Sequence, residues 1–288
     1  MARRTNNYLA LGYLLLAAAV ISTTSAECTR ESLMAGTREY MLAQGMGMTG
    51  HLTLLAENVT YLENDRPTDL GSGILTEGLN LDFVRSIYDT TGCATFTEII
   101  SASSVVPHVI GTRMLFNSNG TVITTIDSIV THKGDWAFNA TGYLYWNSIE
   151  SWEPIPKEKR DSRAVIQAAG DAYFNRFNNV SVNVPFGTPC ARLEGGAYTG
   201  RGNLTANSCT IGGLPSTIKV TNRRYVVDEE MGVVVIFLGF PGLDRTRGQE
   251  PMPDSHMFRV EGGKIKYIHT VSACVTAGCG MNGTGPPL

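Results

Sequence analysis

The stretch Gly262–Ser272, GGKIKYIHTVS, decides the fold because it has a counterpart in the first half of the chain. The segment Gly120–Val130, GTVITTIDSIV, carries apolar and polar residues in the same order, 142 positions earlier. In this alignment Ile126 matches Ile268, and Asp127 matches His269. The match predicts that the chain contains two copies of one structural unit, each ending in the same long strand.

A second match supports the duplication. The sequence YLEN at residues 61–64 corresponds to RLEGG at residues 192–196, at an offset of 131. The extra residues of the second copy are expected in the Gly/Pro-rich loop GFPGLDRTRGQEPMPD, residues 239–254.

Each copy opens with a helix and continues with short strands. Apolar residues recur at helical spacing in ESLMAGTREYMLAQG (31–45) and in AVIQAAGDAYFNRF (164–177). Alternation in the later segments predicts strands with one face towards the helix and the other towards solvent. We therefore expect an α+β fold, a tandem duplication of a cone-shaped unit in which a helix packs into a curved, mostly antiparallel sheet. The domain boundaries are 27–150 and 164–288, joined by a linker at 151–163.

Residues 1–26 have the organisation of a secretory signal peptide. Arg3 and Arg4 precede the apolar run Leu9–Ile21, and small residues stand at Thr24 and Ala26. The run is shorter than the roughly 20 residues that a membrane span requires. We expect a protein of the secretory pathway or the extracellular space, with no membrane span after removal of the signal.

Cysteines and glycosylation sequons agree with this route. Six cysteines favour disulfides, and we expect Cys28 to pair with Cys93, while the other four leave three pairings open. These four are Cys190, Cys209, Cys274 and Cys279. Six N-x-Ser/Thr sequons are candidates for N-glycosylation, at Asn58, Asn119, Asn139, Asn179, Asn203 and Asn282.

Charge and motifs exclude several functions. The formal charge is −3, and loss of Arg3 and Arg4 makes it −5, so the basic surface typical of nucleic-acid binding is missing. The chain has no G-x-S-x-G elbow, no phosphate-binding loop, no H-E-x-x-H and no C-x-x-C. We therefore expect neither a cofactor nor a metal site, and cofactor-independent chemistry or plain binding remains.

Four polar residues are candidates for a site. Asp127 and His269 hold the matching position of the two copies, and on the last long strand either can act as an acid or base. Arg113 and Arg192 lie on otherwise apolar strands, where a guanidinium suits an anionic oxygen pair. The competing interpretations are a hydrogen-bonded structural role for the first two, and an internal ion pair with Glu63, Glu194 or Asp127 for the arginines. His256 is interpreted as a turn residue that precedes a strand.

Aromatic residues are expected to line an apolar pocket, with ordinary core packing as the alternative for each. The substrate-binding candidates are Tyr61, Trp136, Tyr173, Tyr225 and Phe258.

Longer motifs carry a family resemblance. They are ENDRPTDLGSGIL, DSIVTHKGDWAFN, VPFGTPCARLEGGAYTG, NRRYVVDE and PDSHMFRVEGGKIKYIHT. Together they resemble a family of secreted fungal proteins built from two nuclear-transport-factor-like (SnoaL-like) cones. Some members of that family resemble, and a few are, hetero-Diels–Alderases of tropolone–sesquiterpenoid biosynthesis. The resemblance covers almost the whole chain after residue 26.

The resemblance implies a cofactor-independent cyclase. A hydroxymethyl tropolone-like precursor would lose water to form a quinone methide, which an apolar terpenoid alkene would then trap. Our hypothesis for the roles is that Arg113 or Arg192 holds the diene oxygen and that Asp127 or His269 assists dehydration. The alternative is a secreted glycoprotein that binds a small apolar metabolite without catalysis.

Overall fold

The computed structural model describes residues 28–210, 217–241, 251–276 and 279. The expected signal peptide and the sequon at Asn282 lie outside the described residues.

Three α-helices are present in the described part of the chain. They are α1 (Arg30–Met46), α2 (Ala140–Ile149) and α3 (Arg163–Arg176). The Thr29 side chain caps α1 by accepting a hydrogen bond from the Ser32 amide, and Gly47 ends this helix with a left-handed φ of 64°. Helices α1 and α3 are the two that the sequence predicts, whereas α2 is an addition between the two halves. Short 3₁₀ turns occur at Thr49–His51, Ile74–Thr76 and Lys157–Lys159.

The strands form two sheets of the same topology. The first contains β1 (Leu55–Glu63), β2 (Arg66–Pro67), β3 (Phe83–Asp89), β4 (Ala94–Ser101), β5 (His108–Phe116) and β6 (Ile123–Thr131). The second contains β7 (Phe186–Glu194), β8 (Ala197–Tyr198), β9 (Thr221–Asp228), β10 (Val233–Phe240), β11 (Met252–Glu261) and β12 (Lys264–Ser272). Their orders are β2-β1-β6-β5-β4-β3 and β8-β7-β12-β11-β10-β9. In each sheet one pair is parallel, β1 with β6 and β7 with β12, and the others are antiparallel. The molecule is thus a duplicated α+β protein with two mixed sheets.

The strand register confirms the alignment of the two copies. Asp127 pairs with Leu62 on β1, and His269 pairs with Leu193 on β7. The matched sequence segments therefore occupy the same place in the two sheets, and Asp127 and His269 are structurally equivalent.

Each sheet packs its own helix on one face and the other sheet on the opposite face. On the first helix-facing side, Leu33 and Tyr40 of α1 pack with Ile110 and Ile126; in the second half the corresponding residues include Ile166, Phe174, Ile236 and Ile268. Between the sheets, the rings of Phe96 and Phe237 lie 5.9 Å apart in an edge-to-face arrangement.

The expectation that one strand face meets solvent is therefore wrong. Every residue of β4 and β10 is buried, because the second sheet covers the face that a single cone would expose. Burial of both faces explains why β10 is apolar throughout. Strand β4 instead buries four polar residues among its apolar ones: Thr95, Thr97, Glu98 and Ser101.

Two reciprocal ion pairs join the halves. Arg30, at the start of α1, lies 3.1 Å from Asp228, and Arg163, at the start of α3, lies 2.6 Å from Asp89. Asp89 also accepts a hydrogen bond from the Val227 amide. The two aspartates end β3 and β9, so each half offers its partner the same contact, as in a two-fold dimer.

Three disulfides are formed, Cys28–Cys93, Cys190–Cys209 and Cys274–Cys279. The first is the expected pair. The other two show which of the three possible pairings of the remaining four cysteines is formed. Such bridges are typical of an oxidising, secretory environment.

Among the described residues no helix has the length and apolarity to cross a membrane.

We predict that Asp89→Ala lowers the free energy of unfolding by about 2 kcal/mol, because it leaves the Val227 amide without its acceptor and removes the carboxylate partner of the Arg163 guanidinium. Chemical denaturation of the purified protein measures this change. Glu158→Ala, at an exposed position of the 3₁₀ turn, is the control and should leave stability unchanged. Equal stability of the two variants would contradict the role of the reciprocal pairs.

Candidate functional site

Asp127 and Arg113 lie between the two sheets. Oδ2 of Asp127 accepts hydrogen bonds from Nη2 of Arg113 at 3.1 Å and from Nε of Arg224 at 3.2 Å. Arg224 also reaches Asp65 at 2.5 Å, and both guanidiniums lie over the Phe237 ring. Arg113 thus forms the internal ion pair that was the competing interpretation of this residue.

His269 occupies the equivalent position and organises a second network, which we call the interface network. Its Nε2 lies 2.6 Å from Oε2 of Glu150, and its Nδ1 lies 3.4 Å from Oε1 of Glu98. Arg85 approaches Glu98 at 3.2 Å, and Trp152 donates its indole N–H to Glu150 at 3.0 Å. The network therefore connects β3 and β4, the connection after α2, and β12.

Charge stabilises the interface network. Burial acts to lower the pKa of His269, but Glu150 and Glu98 outweigh it and raise the pKa to about 9. Burial likewise acts to raise the pKa of Glu98, but His269 and Arg85 bring it to about 2. An imidazolium held between carboxylates is thus the stable state near neutral pH.

The placement of Asp127 and His269 corrects the expectation that each lines a pocket of its own half. Their side chains face the opposite sheet, whereas their neighbours Ile126 and Ile268 face the helices. Alternation divides a strand into two sets of side chains, but it does not say which set faces the helix when both are buried.

The helix-facing side of the second sheet holds a different group, which we call the α3-side cluster. It consists of Tyr173, Arg192, Glu194, Asp254 and His256, all at least nine-tenths buried. Nδ1 of His256 lies 2.5 Å from Oδ1 of Asp254, and Nη1 of Arg192 lies 2.5 Å from Oε1 of Glu194. The ring of Tyr173 on α3 lies 5.6 Å from that of His256. Arg192 also interacts electrostatically with the Tyr173 hydroxyl.

Electrostatics fix the protonation of two members of this cluster. Burial raises the pKa of Tyr173 above its usual range, so the phenol keeps its proton and can donate a hydrogen bond. Burial opposes the charge of Arg192, but Glu194 and Tyr173 raise its pKa overall. The arrangement places a neutral phenol, a guanidinium and an imidazole–carboxylate pair side by side.

His256 is the functional candidate that the sequence interpretation missed. Strand β11 begins at Met252, so His256 lies inside a strand and not in the turn before it. Pro251 and Pro253 suggested a loop, yet Pro253 pairs with Gly239 within the sheet. The alternation of SHMFRV was the signal for a strand that already includes His256.

The first half retains Glu63 as the counterpart of Glu194, but it differs at two other positions of the cluster. Register matches Arg192 to Tyr61, and His256 to Thr112. There the Tyr40 hydroxyl hydrogen-bonds to Thr112 at 2.7 Å, a neutral contact. The first half is also filled by its own 70–79 segment, in which Ile74 and Leu75 are buried.

A surface pocket of about 340 Å³ leads to Tyr173. Its other described lining residues are Arg176, Val182, Asn183, Val184, Phe186 and Thr210. Nη1 of Arg176, Nε of Arg192 and Oγ1 of Thr270 are buried and have no hydrogen-bond partner within the described ranges. Of these three residues Arg176 lines the pocket, and an unpaired donor there suits a ligand that carries acceptor oxygens.

The aromatic candidates divide between the halves. Tyr173 and Phe258 contact His256, and Tyr225 donates its hydroxyl proton to Asp171 on α3. Tyr61 lies in the first half and hydrogen-bonds to Glu63, and Trp136 lies in the connection between β6 and α2.

Comparison with known proteins adds one match. Residues 159–272, which contain α3 and the whole α3-side cluster, match a family described as a domain of unknown function (DUF8021). No curated protein and no solved structure matches the chain.

We predict that the interface network makes stability depend on pH. A histidine with a pKa of about 9 in the folded state and 6.5 otherwise contributes fully below pH 6.5, and its contribution is lost as the pH rises through 9. The free energy of unfolding should therefore fall over this window by an amount on the order of 3 kcal/mol. Urea titrations at several pH values measure it. His269→Gln should be less stable at pH 6.5 and should lack this fall; an unchanged pH slope in the variant would contradict the assignment.

Proposed function

We propose that the second half of the protein carries a cofactor-independent acid–base site for a small, oxygenated and mostly apolar metabolite. The observation that supports it most directly is the buried His256–Asp254 pair beside Tyr173 and Arg192. Aromatic side chains surround these groups, with Phe174 and Phe258 against the imidazole. Such a mixture of apolar walls and few polar groups suits a ligand pocket better than an ordinary core.

The fold component of the proposal is that each half is a nuclear-transport-factor-like cone. One long helix against the face of each six-stranded sheet supports this assignment, as does the sequence resemblance. The same resemblance supports a reaction of the hetero-Diels–Alderase type, in which a tropolone quinone methide combines with a terpenoid alkene.

The cluster can assist the formation of the quinone methide. The precursor loses the proton of its ring hydroxyl, the C–O bond of its hydroxymethyl group breaks, and one water leaves. With Nδ1 of His256 held by Asp254, Nε2 is the nitrogen that accepts the ring proton and returns it to the departing hydroxyl. The proton balance closes without another reagent.

The cluster can also assist the addition. The quinone methide and the alkene form one C–C and one C–O bond with no proton transfer, so the protein contributes orientation and polarisation. The Tyr173 phenol and the Arg192 guanidinium can donate hydrogen bonds to the diene oxygen. Apolar residues such as Val182, Val184 and Phe186 can hold the terpenoid part.

One observation favours the alternative, a secreted glycoprotein that binds an apolar metabolite without reaction. The charged groups of the cluster are paired within it, Arg192 with Glu194 and His256 with Asp254, as a purely structural cluster also requires.

We predict that Tyr173→Phe lowers the rate of adduct formation by about 100-fold and His256→Ala by 100-fold or more, relative to wild type, because each removes a group that acts on the reacting oxygens or their proton. The assay incubates the secreted protein with a hydroxymethyl tropolone precursor and a humulene-type alkene and follows adduct formation and stereochemistry.

Tyr40→Phe is the matched control, since Tyr40 is the equivalent buried tyrosine of α1 and should be dispensable for the reaction. Wild-type product with the stereochemistry of the spontaneous reaction would favour the binding alternative. Wild-type rates in both test variants would exclude the α3-side cluster as the site.

A further inference from the structure

The sequon Asn179–Val180–Ser181 lies in the turn that follows α3. Asn179 is exposed, and its Oδ1 accepts hydrogen bonds from the Ser181 amide at 3.0 Å and the Ser181 hydroxyl at 2.7 Å. No described residue accepts a hydrogen bond from its Nδ2. The side-chain amide is thus fixed through its oxygen, and the nitrogen that carries an N-glycan is available.

A groove of about 490 Å³ begins at this asparagine. Its lining comprises Phe174, Asn175, Asn178, Asn179, Val182, Lys219, Val220 and Arg223. Nη1 of Arg223 is held by Asp171 at 2.6 Å and Nη2 by Asn175 at 2.9 Å, and this guanidinium lies 5.5 Å from the centre of the Phe174 ring. Phe174 itself is fully buried under this guanidinium, so the groove has an apolar patch at Val182 and a rim of amide and cationic donors.

This chemistry fits N-acetylglucosamine. The acetamido methyl group and the apolar face of the sugar ring suit Val182 and the small exposed part of Val220. The sugar hydroxyls and the acetamido carbonyl suit the amides of Asn175 and Asn178. A glycan on Nδ2 of Asn179 starts at the wall of the groove, so no long linker has to be ordered to reach it.

The groove shares a wall with the pocket at Tyr173. Val182 lines both, and the segment 178–184 runs between them. A sugar that is packed against one side of this segment restrains the other side, which forms the pocket entrance.

We propose that Asn179 is N-glycosylated and that the first N-acetylglucosamine lies in this groove, where it holds the segment 178–184 against α3. The new bond joins Nδ2 to the anomeric carbon of the sugar; the amide loses one proton, and the lipid diphosphate of the donor leaves. The inference does not depend on the reaction proposed above.

Hydrogen–deuterium exchange of the secreted full-length protein tests the proposal. Glycopeptide mass spectrometry should find Asn179 occupied, and loss of the glycan should accelerate exchange in residues 180–186 about tenfold relative to wild type. Three glycan-free forms should agree: Asn179→Gln, Ser181→Ala, and folded wild type treated with PNGase F. Protein trimmed with Endo H, which retains one N-acetylglucosamine, should keep the protection.

Two controls complete the design. Ser181→Thr preserves the sequon and should behave as wild type, and Asn58→Gln, which removes the exposed sequon on β1, should leave residues 180–186 unchanged. An unoccupied Asn179, or equal exchange with and without its glycan, would overturn the proposal. Loss of protection on trimming to one sugar would also overturn it, since the first sugar would then not be the one that is bound.

Discussion

The imidazolium of His269 between Glu98 and Glu150 is the contact on which the union of the two halves depends most. Its partners come from β4 of the first sheet and from the connection that follows α2, and all three groups are buried. In a dry interface an unpaired member of such a network is costly, so the three elements have to form together. The reciprocal pairs of Asp89 and Asp228 add a symmetric set of contacts where β3 and β9 meet.

After the duplication the two halves differ on their helix-facing sides. In both halves one face of the sheet packs against the other sheet. The side chains on that face therefore cannot contribute to a site on the helix-facing side. The first half fills its remaining face with Tyr40, Thr112 and the buried segment around Leu75. The second half has Tyr173 in place of Tyr40, His256 in place of Thr112 and Arg192 in place of Tyr61. The same backbone thus supports the Tyr40–Thr112 and Tyr61–Glu63 hydrogen bonds in one copy and the Arg192–Glu194 and His256–Asp254 pairs in the other.

Much of the fold could be predicted from sequence, because the repeat, the helices α1 and α3, and the Cys28–Cys93 pair depend on local patterns or on counting within one half. The candidate site was predicted less completely than the fold. Asp127 and His269 are equivalent as predicted. Their side chains, however, point towards the other sheet, and the sequence of a single strand does not show that a second sheet covers it. Arg113 forms an ion pair with Asp127 in the same space between the sheets. His256 was missed because Pro251 and Pro253 resemble a loop until the pairing of Pro253 with Gly239 is known.

The central claim is that ligand chemistry belongs to the α3-facing side of the second half and not to the interface between the sheets. NMR of the histidine Cε1–H resonances during titration with tropolone tests it directly, with His256 and His269 assigned from their single variants. Our account predicts a saturable shift of the His256 resonance and a constant His269 resonance. A shift of His269 alone, or no shift of His256 at saturating tropolone, would contradict it.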